Sequence, residues 1–128
     1  MAEYSKERLY FLKLPSDFFA GHKIRILESM PNGLRYESML LKLMCESISH
    51  GGYLRFSEGK PYTPEMIAAI TGIDKKSARE GLEALKSLEL IEDTEEGSIF
   101  IPCVPKMVSS TTEGADRKRT SRGQKGDR

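Results

Sequence analysis

The sequence predicts an α+β fold that is mainly helical with one small β-sheet, and three observations lead to this prediction. Apolar residues recur at helical spacing in several segments between residues 16 and 88. The last two of these helices are separated by the tight break Thr71-Gly72-Ile73. Two short apolar segments, Leu90-Ile91 and residues 99–101, then flank an acidic segment that contains glycine, which is the pattern of a β-hairpin.

Length and composition indicate a single domain. The chain has 128 residues, of which 38% are hydrophobic, enough for one modest core. Cys45 and Cys103 lie in apolar sequence and do not form a close pair, so we expect neither a disulfide nor a zinc site. The N-terminus lacks an apolar signal core, and no segment approaches the roughly 18 apolar residues that cross a bilayer. We therefore expect a protein of the cytoplasm with no membrane partner.

The net charge of +1 conceals an uneven distribution. Residues 1–116 hold 14 basic and 18 acidic residues, whereas residues 117–128 hold six basic residues and one acidic residue. This distribution predicts a folded domain over residues 1–108 and a disordered basic tail over residues 109–128, which is too polar to order itself. The tail cations predicted to contact DNA are Arg117, Lys118, Arg119 and Arg122. A tail that serves only solubility is the simpler alternative.

The N-terminal part predicts one strand and one helix. Residues 8–14 read as a short strand or extended segment that Pro15 ends. Ser16 or Asp17 is expected to cap the helix, which Pro31-Asn32-Gly33 breaks. The apolar side chains expected to face inward are Phe18, Phe19, Ile24, Leu27 and Met30.

The next predicted helix, residues 34–49, carries two apolar rows. One row consists of Tyr36, Leu40, Leu43 and Met44, and the other of Leu34, Leu41, Cys45 and Ile48. A helix with two apolar faces is expected to be buried on both sides, either in the core or against another subunit. Gly51-Gly52 ends this helix, a short strand follows at residues 53–56, and residues 57–62 are predicted to be a loop.

Residues 63–101 predict a helix-turn-helix followed by a wing. Thr63 is suited to cap the first helix and Gly72 to take the left-handed turn conformation. Asp74 is suited to cap the second helix, which runs from residue 75 to about residue 88. Its inward-facing residues are expected to be Ala78, Leu82 and Leu85. With the hairpin that follows, this is the pattern of a winged helix-turn-helix. The alternative is a plain helical hairpin beside an unrelated pair of strands.

The second helix of this pair is the predicted DNA-recognition helix. Its first turns carry four residues suited to base edges and phosphates, namely Lys75, Lys76, Ser77 and Arg79. An alternative is a solvated face that pairs its own charges, because Lys76 and Glu80 are four residues apart, as are Arg79 and Glu83. The predicted wing is acidic, with Glu92, Asp93, Glu95 and Glu96. Phosphate would repel it, so we expect its tip to point away from DNA or toward a protein.

The sequence suggests no enzyme. His22 and His50 are isolated, without a cysteine or carboxylate at a spacing useful for metal binding or acid–base catalysis. We therefore predict no catalytic residue, no metal site and no cofactor.

Residues 10–19, Tyr-Phe-Leu-Lys-Leu-Pro-Ser-Asp-Phe-Phe, together with the apolar helix and the winged helix-turn-helix, resemble the N-terminal region of phage replisome organizer proteins. More distantly they resemble the N-terminal domain of DnaD-like primosomal proteins. The resemblance covers about residues 5–105. It implies a replication-initiation protein that binds origin DNA, self-associates and helps to recruit the replicative helicase or its loader. Members of this family generally continue into a further C-terminal region, on which helicase recruitment would depend.

The resemblance also implies an oligomer interface formed by the N-terminal segment and the doubly apolar helix. The residues predicted to form it are Tyr10, Leu12, Leu34, Leu41, Cys45 and Ile48. Two other functions stay open from the sequence. One is a transcriptional regulator that binds a palindromic site as a dimer, and the other is a protein-interaction scaffold without direct DNA binding.

Overall fold

The computed structural model describes residues 9–57 and 60–111 of the chain. This part contains five α-helices: α1 (His22–Ser29), α2 (Gly33–Ser47), α3 (Pro64–Thr71), α4 (Lys75–Ser87) and the short α5 (Val104–Met107). A 3₁₀ turn, Phe18–Ala20, precedes α1, and a second one, Ile48–His50, continues α2. The predicted mainly helical α+β fold is confirmed.

The strands of the described residues form two antiparallel sheets. The strands are β1 (Leu9–Leu12), β2 (Tyr53–Ser57), β3 (Lys60–Pro61), β4 (Glu92–Asp93), β5 (Ile99–Phe100) and β6 (Val108–Thr111). Four of them form a sheet in the order β3-β2-β5-β4, and β1 pairs with β6. Phe100 lies opposite Tyr53 on one side and Glu92 on the other, so the wing hairpin is joined to β2 through β5.

Helix α2 is the centre of the molecule. It contacts α1, α3, α4 and β2. The predicted inner row is confirmed, because its four members are buried: Tyr36, Leu40, Leu43 and Met44. Burying these side chains removes apolar surface from water and stabilises the fold by roughly 25 cal/mol for each Å² buried. The same contacts fix the other elements around α2.

The second apolar row of α2 is not buried within the chain. Leu34 is 67% exposed and Cys45 is also exposed, while Leu41 and Ile48 are half-buried. Of the two predicted alternatives, burial of both rows in the core of this chain is therefore wrong, because no other described element packs over the whole of that side. Burial against another subunit stays a prediction.

The predicted helix at residues 16–30 begins later than expected. Phe18–Ala20 form a 3₁₀ turn, and the side chain of Asp17 makes no capping hydrogen bond. Helix α1 begins only after Gly21, and its inward residues Ile24 and Leu27 are buried as predicted. Phe19 is 41% exposed, so its predicted inward position is wrong. The cause is the tighter 3₁₀ turn, which changes the direction in which residue 19 projects.

The first predicted wing strand, Leu90-Ile91, is displaced by two residues. Glu89 takes a left-handed conformation with φ 62°, and the Leu90 N–H donates to the Leu85 carbonyl at 2.9 Å. This hydrogen bond terminates α4 and occupies the residues expected in the strand. The strand is therefore β4, Glu92–Asp93, while Ile91 is buried in the core.

Two predicted irregular segments contain regular structure. Residues 57–62, expected to be a loop, include the end of β2 and the whole of β3, which pair with each other. Residues 109–111, expected to begin the tail, lie in β6 and pair with β1. This pairing is made by backbone groups and needs no large side chains. The rest of the predicted tail, residues 112–128, lies outside the described residues.

Candidate nucleic-acid interface

The corner between α3 and α4 forms as the local sequence predicts. Thr63 Oγ1 accepts a hydrogen bond from the Met66 N–H at 3.2 Å, and Pro64 occupies the first turn of α3. Gly72 has φ 75°, a left-handed conformation that glycine takes without a steric penalty, and its N–H donates to the Ala68 carbonyl at 2.9 Å. Asp74 Oδ2 then accepts from the Ser77 N–H at 3.0 Å and caps α4.

The inner face of α4 fixes its position against α2. Ala78, Leu82 and Leu85 are buried, as predicted. Gly81 allows an especially close approach, because a Cβ atom there would lie 2.6 Å from Met39 Cε and 2.8 Å from Tyr36 Cδ1. The opposite face of α4 is consequently directed to solvent.

The cations of the first turns of α4 lie on this outer face. Lys75, Lys76 and Arg79 are exposed, and Ser77 is half-buried. The ammonium group of Lys75 lies 3.2 Å from Glu65 Oε2 of α3. Within residues 9–57 and 60–111, no carboxylate lies within 4.0 Å of the charged groups of Lys76 and Arg79.

The structure therefore does not show the alternative, in which the charges of the first turns of α4 pair with one another. Neither the Lys76–Glu80 pair nor the Arg79–Glu83 pair is formed among the described residues. The pair that does form on α4 is Lys86 with Glu83, at 3.8 Å in the last turns. Among the described residues, Lys76 and Arg79 therefore have no acidic partner that would compete with a bound molecule.

Helix α2 contributes two basic side chains to this corner that sequence reasoning missed. Arg35 Nη1 lies 3.9 Å from Asp74 Oδ1, and its side chain is 54% exposed. Lys42 Nζ donates to the Thr71 carbonyl at 2.9 Å, at the C-terminal end of α3. These residues are about 30 to 40 positions from their partners, so only the packing of α2 against α3 and α4 brings them there.

Two carboxylates remain charged among these cations. The pKa of Glu65 is lowered, first by a hydrogen bond from its own backbone N–H and then by Lys75. The pKa of Asp74 is lowered by hydrogen bonds from the backbone and the hydroxyl group of Ser77. Besides Lys42, which donates to the Thr71 carbonyl, the corner thus presents four cations, Arg35, Lys75, Lys76 and Arg79, with two ionised carboxylates between them.

The wing hairpin is acidic, as predicted, and its base is bound to α4. Glu92, Asp93, Glu95 and Glu96 are all exposed. The turn is closed by the Thr94 N–H, which donates to the Ser98 carbonyl at 2.9 Å. Lys86 Nζ lies 3.1 Å from Asp93 Oδ2, so a salt bridge joins the last turn of α4 to the wing.

The predicted oligomer residues do not form one patch. Strand β1, which carries Tyr10 and Leu12, lies against the 3₁₀ turn Ile48–His50 that follows α2. Leu34 lies in the first turn of α2, and Ile48 follows 14 positions later, which corresponds to about 20 Å of helix. Tyr10 is 42% exposed, whereas Leu12 is half-buried.

The tail cations predicted to contact DNA, Arg117, Lys118, Arg119 and Arg122, lie outside the described residues.

The described residues provide two further findings on function. No helix among them is both long enough and apolar enough to cross a bilayer. They also contain no cluster of three or more histidine, cysteine, aspartate or glutamate side chains arranged to hold a metal ion.

Helices α3 and α4, with their sharp corner and the paired hairpin, have the arrangement of a winged helix-turn-helix. Residues 11–128 match the model of the family described as the N-terminal phage replisome organiser, and the chain belongs to this family. The match confirms the resemblance inferred from the sequence and includes the basic segment 117–128. Membership supports a role in replication initiation. Neither the curated proteins nor the solved structures contain a significant match.

Proposed function

We propose that this chain is the DNA-binding module of a phage-type replication-initiation protein, and that it binds double-stranded origin DNA through α4 in the cytoplasm of the bacterial host. The observation that carries the proposal is the exposure of Lys76 and Arg79, without an acidic partner among the described residues, in the first turns of the second helix. In helix-turn-helix proteins this part of the recognition helix meets base edges in the major groove.

The numbers of cations in α4 and in the tail suggest that the two parts contribute differently to DNA binding. Three α4 cations that each neutralise a phosphate give a slope of about −2.7 in log affinity against log salt, and six tail cations would roughly triple it. Affinity that is independent of sequence would then come mostly from residues 117–128. Sequence preference would come mostly from α4, because side-chain contacts with base edges are what distinguish one site from another.

A fluorescence-anisotropy titration with duplex DNA at two salt concentrations tests this proposal. The double variant Lys76→Ala/Arg79→Ala should bind a preferred site at least about tenfold more weakly, since one good base contact contributes about 1–3 kcal/mol of discrimination. The control variant Lys13→Ala/Lys106→Ala removes the same charge from exposed positions outside α4. Deleting residues 117–128 should flatten the salt dependence. Unchanged affinity in both the α4 variant and the tail deletion would contradict the proposal.

We also propose that the chain self-associates through β1 and the adjoining end of α2. Tyr10 is exposed beside the 3₁₀ turn Ile48–His50, and Cys45 is exposed one turn earlier. Sedimentation velocity should show that Tyr10→Lys shifts the chain toward a monomer. Ile26→Lys, at a residue that is 49% exposed on α1, should not. A wild-type chain that is monomeric at high concentration, or equal effects of the two variants, would refute this interface.

We further propose a helicase or helicase-loader partner, which the resemblance to phage replisome organizer proteins implies. The acidic wing favours a protein contact, because its four exposed carboxylates would repel phosphate. A scaffold that does not bind DNA is the rival function, and the same titration distinguishes it, because such a scaffold would show no DNA affinity at either salt concentration.

A further inference from the structure

One carboxylate stands directly beside the proposed DNA-binding cations. Glu65 lies in the first turn of α3, and its Oε2 atom is 3.2 Å from Lys75 Nζ. Both side chains are more than half exposed, at 59% and 52%. The charge of Arg79 also acts on this carboxylate. Glu65 therefore occupies a place beside the α4 cations that an approaching phosphate would also favour.

The second carboxylate at this corner, Asp74, has a different role. Its Oδ2 atom caps α4 by accepting from the Ser77 N–H, so the helix start depends on it. The Glu65 side chain accepts hydrogen bonds from Lys75 and from its own backbone N–H. Thr63, not Glu65, provides the cap of α3. Removing the charge of Glu65 should therefore leave the fold intact, because exposed ion pairs contribute little to stability.

We propose that Glu65 is an internal counter-ion that lowers the DNA affinity of α4 and holds Lys75 until a phosphate group displaces it. The inference rests on the proposed DNA binding by α4 and adds the residue that sets its strength. Two effects act in the same direction. The carboxylate repels phosphate, and it also engages an ammonium group that must be released before Lys75 can contact DNA. Both effects operate within one Debye length, about 8–10 Å at physiological salt.

The test uses the same anisotropy titration with the full chain and the variant Glu65→Gln. We expect about threefold tighter binding, the scale that an exposed ion pair allows, and a salt slope steeper by about 0.9 because one more net cation meets the phosphates. In a Lys75→Met background the gain from Glu65→Gln should be smaller, since only the repulsion is then relieved.

Glu89→Gln is the matched control. Glu89 forms an exposed ion pair of the same kind, 3.7 Å from Lys23. It follows the far end of the 13-residue α4, about 20 Å from Lys75 along the helix. This variant should bind DNA as the wild type does. Unchanged or weaker binding by Glu65→Gln would overturn the inference.

The outcomes separate this inference from the proposed function. If Lys76→Ala/Arg79→Ala loses affinity while Glu65→Gln gains none, binding by α4 stands and the role of Glu65 is refuted. If the α4 variant binds as tightly as the wild type, DNA binding by α4 is refuted, and the inference fails with it. Circular dichroism of each variant shows whether the fold is retained, so that a loss of binding can be assigned to contact.

Discussion

Glu37 is the residue whose environment departs most from that of an ordinary surface carboxylate. It lies on α2 facing α1, only 9% exposed, and its Oε2 atom is buried without a hydrogen-bond partner. Three causes together raise the pKa of Glu37 to about 7: burial contributes most, followed by a side-chain hydrogen bond with Glu28 and the negative charge of Glu28. A carboxyl group in this position is partly protonated at neutral pH, and it then acts as a neutral hydrogen-bonding group.

This pKa predicts a pH-dependent stability. The folded chain holds the Glu37 proton up to about pH 7, whereas the unfolded chain releases it near its ordinary pKa of 4.5. Stability from this group is therefore fully present below pH 4.5 and is lost as the pH rises through 7. Glu37→Gln removes the ionisation and should raise the free energy of unfolding at pH 8, by an amount on the order of 3 kcal/mol.

Urea denaturation at pH 4.5 and pH 8 checks this prediction. The benefit of Glu37→Gln should be large at pH 8 and nearly absent at pH 4.5. Glu80→Gln, at an exposed position on α4, is the control and should show no such difference. Identical pH profiles for the wild type and Glu37→Gln would show that the carboxyl group titrates normally.

The Asp74 cap gives a second prediction for a single residue. Asp74→Ala removes the acceptor for the Ser77 N–H and should cost about 1 kcal/mol of stability. Asp74→Asn retains an acceptor and should stay within a few tenths of a kcal/mol of the wild type. Equal stabilities of the two variants in urea would mean that the cap contributes nothing.

At the residue scale, local contacts were predictable and long-range contacts were not. The Thr63 and Asp74 caps could be read from the sequence because donor and acceptor are three residues apart. The Lys75–Glu65 and Arg35–Asp74 pairs could not, because each joins two elements whose packing has to be known first. The burial of Glu37 was missed for the same reason.

At the element scale, the spacing of apolar residues predicted which segments are helical and which faces are buried, but it predicted the ends of the helices less well. The inner row of α2 and the inward face of α4 were predicted correctly because helical spacing gathers apolar residues on one side. The predicted ends were wrong where backbone hydrogen bonds ended a helix without the glycine or proline that usually marks such an end. Glu89, a non-glycine residue in a left-handed conformation, ended α4 and moved the wing strand by two residues. No glycine marked that position.

The packing of α4 on α2 makes a prediction at Gly81. Gly81→Ala would place a methyl group 2.8 Å from the Tyr36 ring, and overpacking of this kind typically costs about 1–3 kcal/mol. The higher helix propensity of alanine offsets about 1 kcal/mol at most. We therefore expect net destabilisation in thermal or urea unfolding.

Glu80→Ala is the control for this packing, because residue 80 adjoins Gly81 on the exposed side of α4. A surface substitution of this kind should change stability by no more than about 0.5 kcal/mol. A Gly81→Ala variant as stable as Glu80→Ala would mean that α2 and α4 approach less closely than the structure shows.

At the scale of the whole molecule, the winged helix-turn-helix was predictable because its parts follow one another in the sequence. The pairing of β1 with β6 was not, since it joins residues about 100 positions apart through backbone hydrogen bonds that leave no pattern in the side chains. The separation of charge between an acidic body and a basic end was visible in the sequence. This separation of charge is the basis for the proposal that α4 provides sequence preference and residues 117–128 provide general affinity for DNA.

The proposed function depends on contact between DNA and the first turns of α4. An NMR titration of the ¹⁵N-labelled chain with duplex DNA tests it most directly, because each backbone amide reports its own surroundings. We expect the largest shifts in residues 75–79 and in Arg35, with small shifts in the acidic wing. Shifts concentrated in the wing or in β1 and β6, with α4 unchanged, would contradict it.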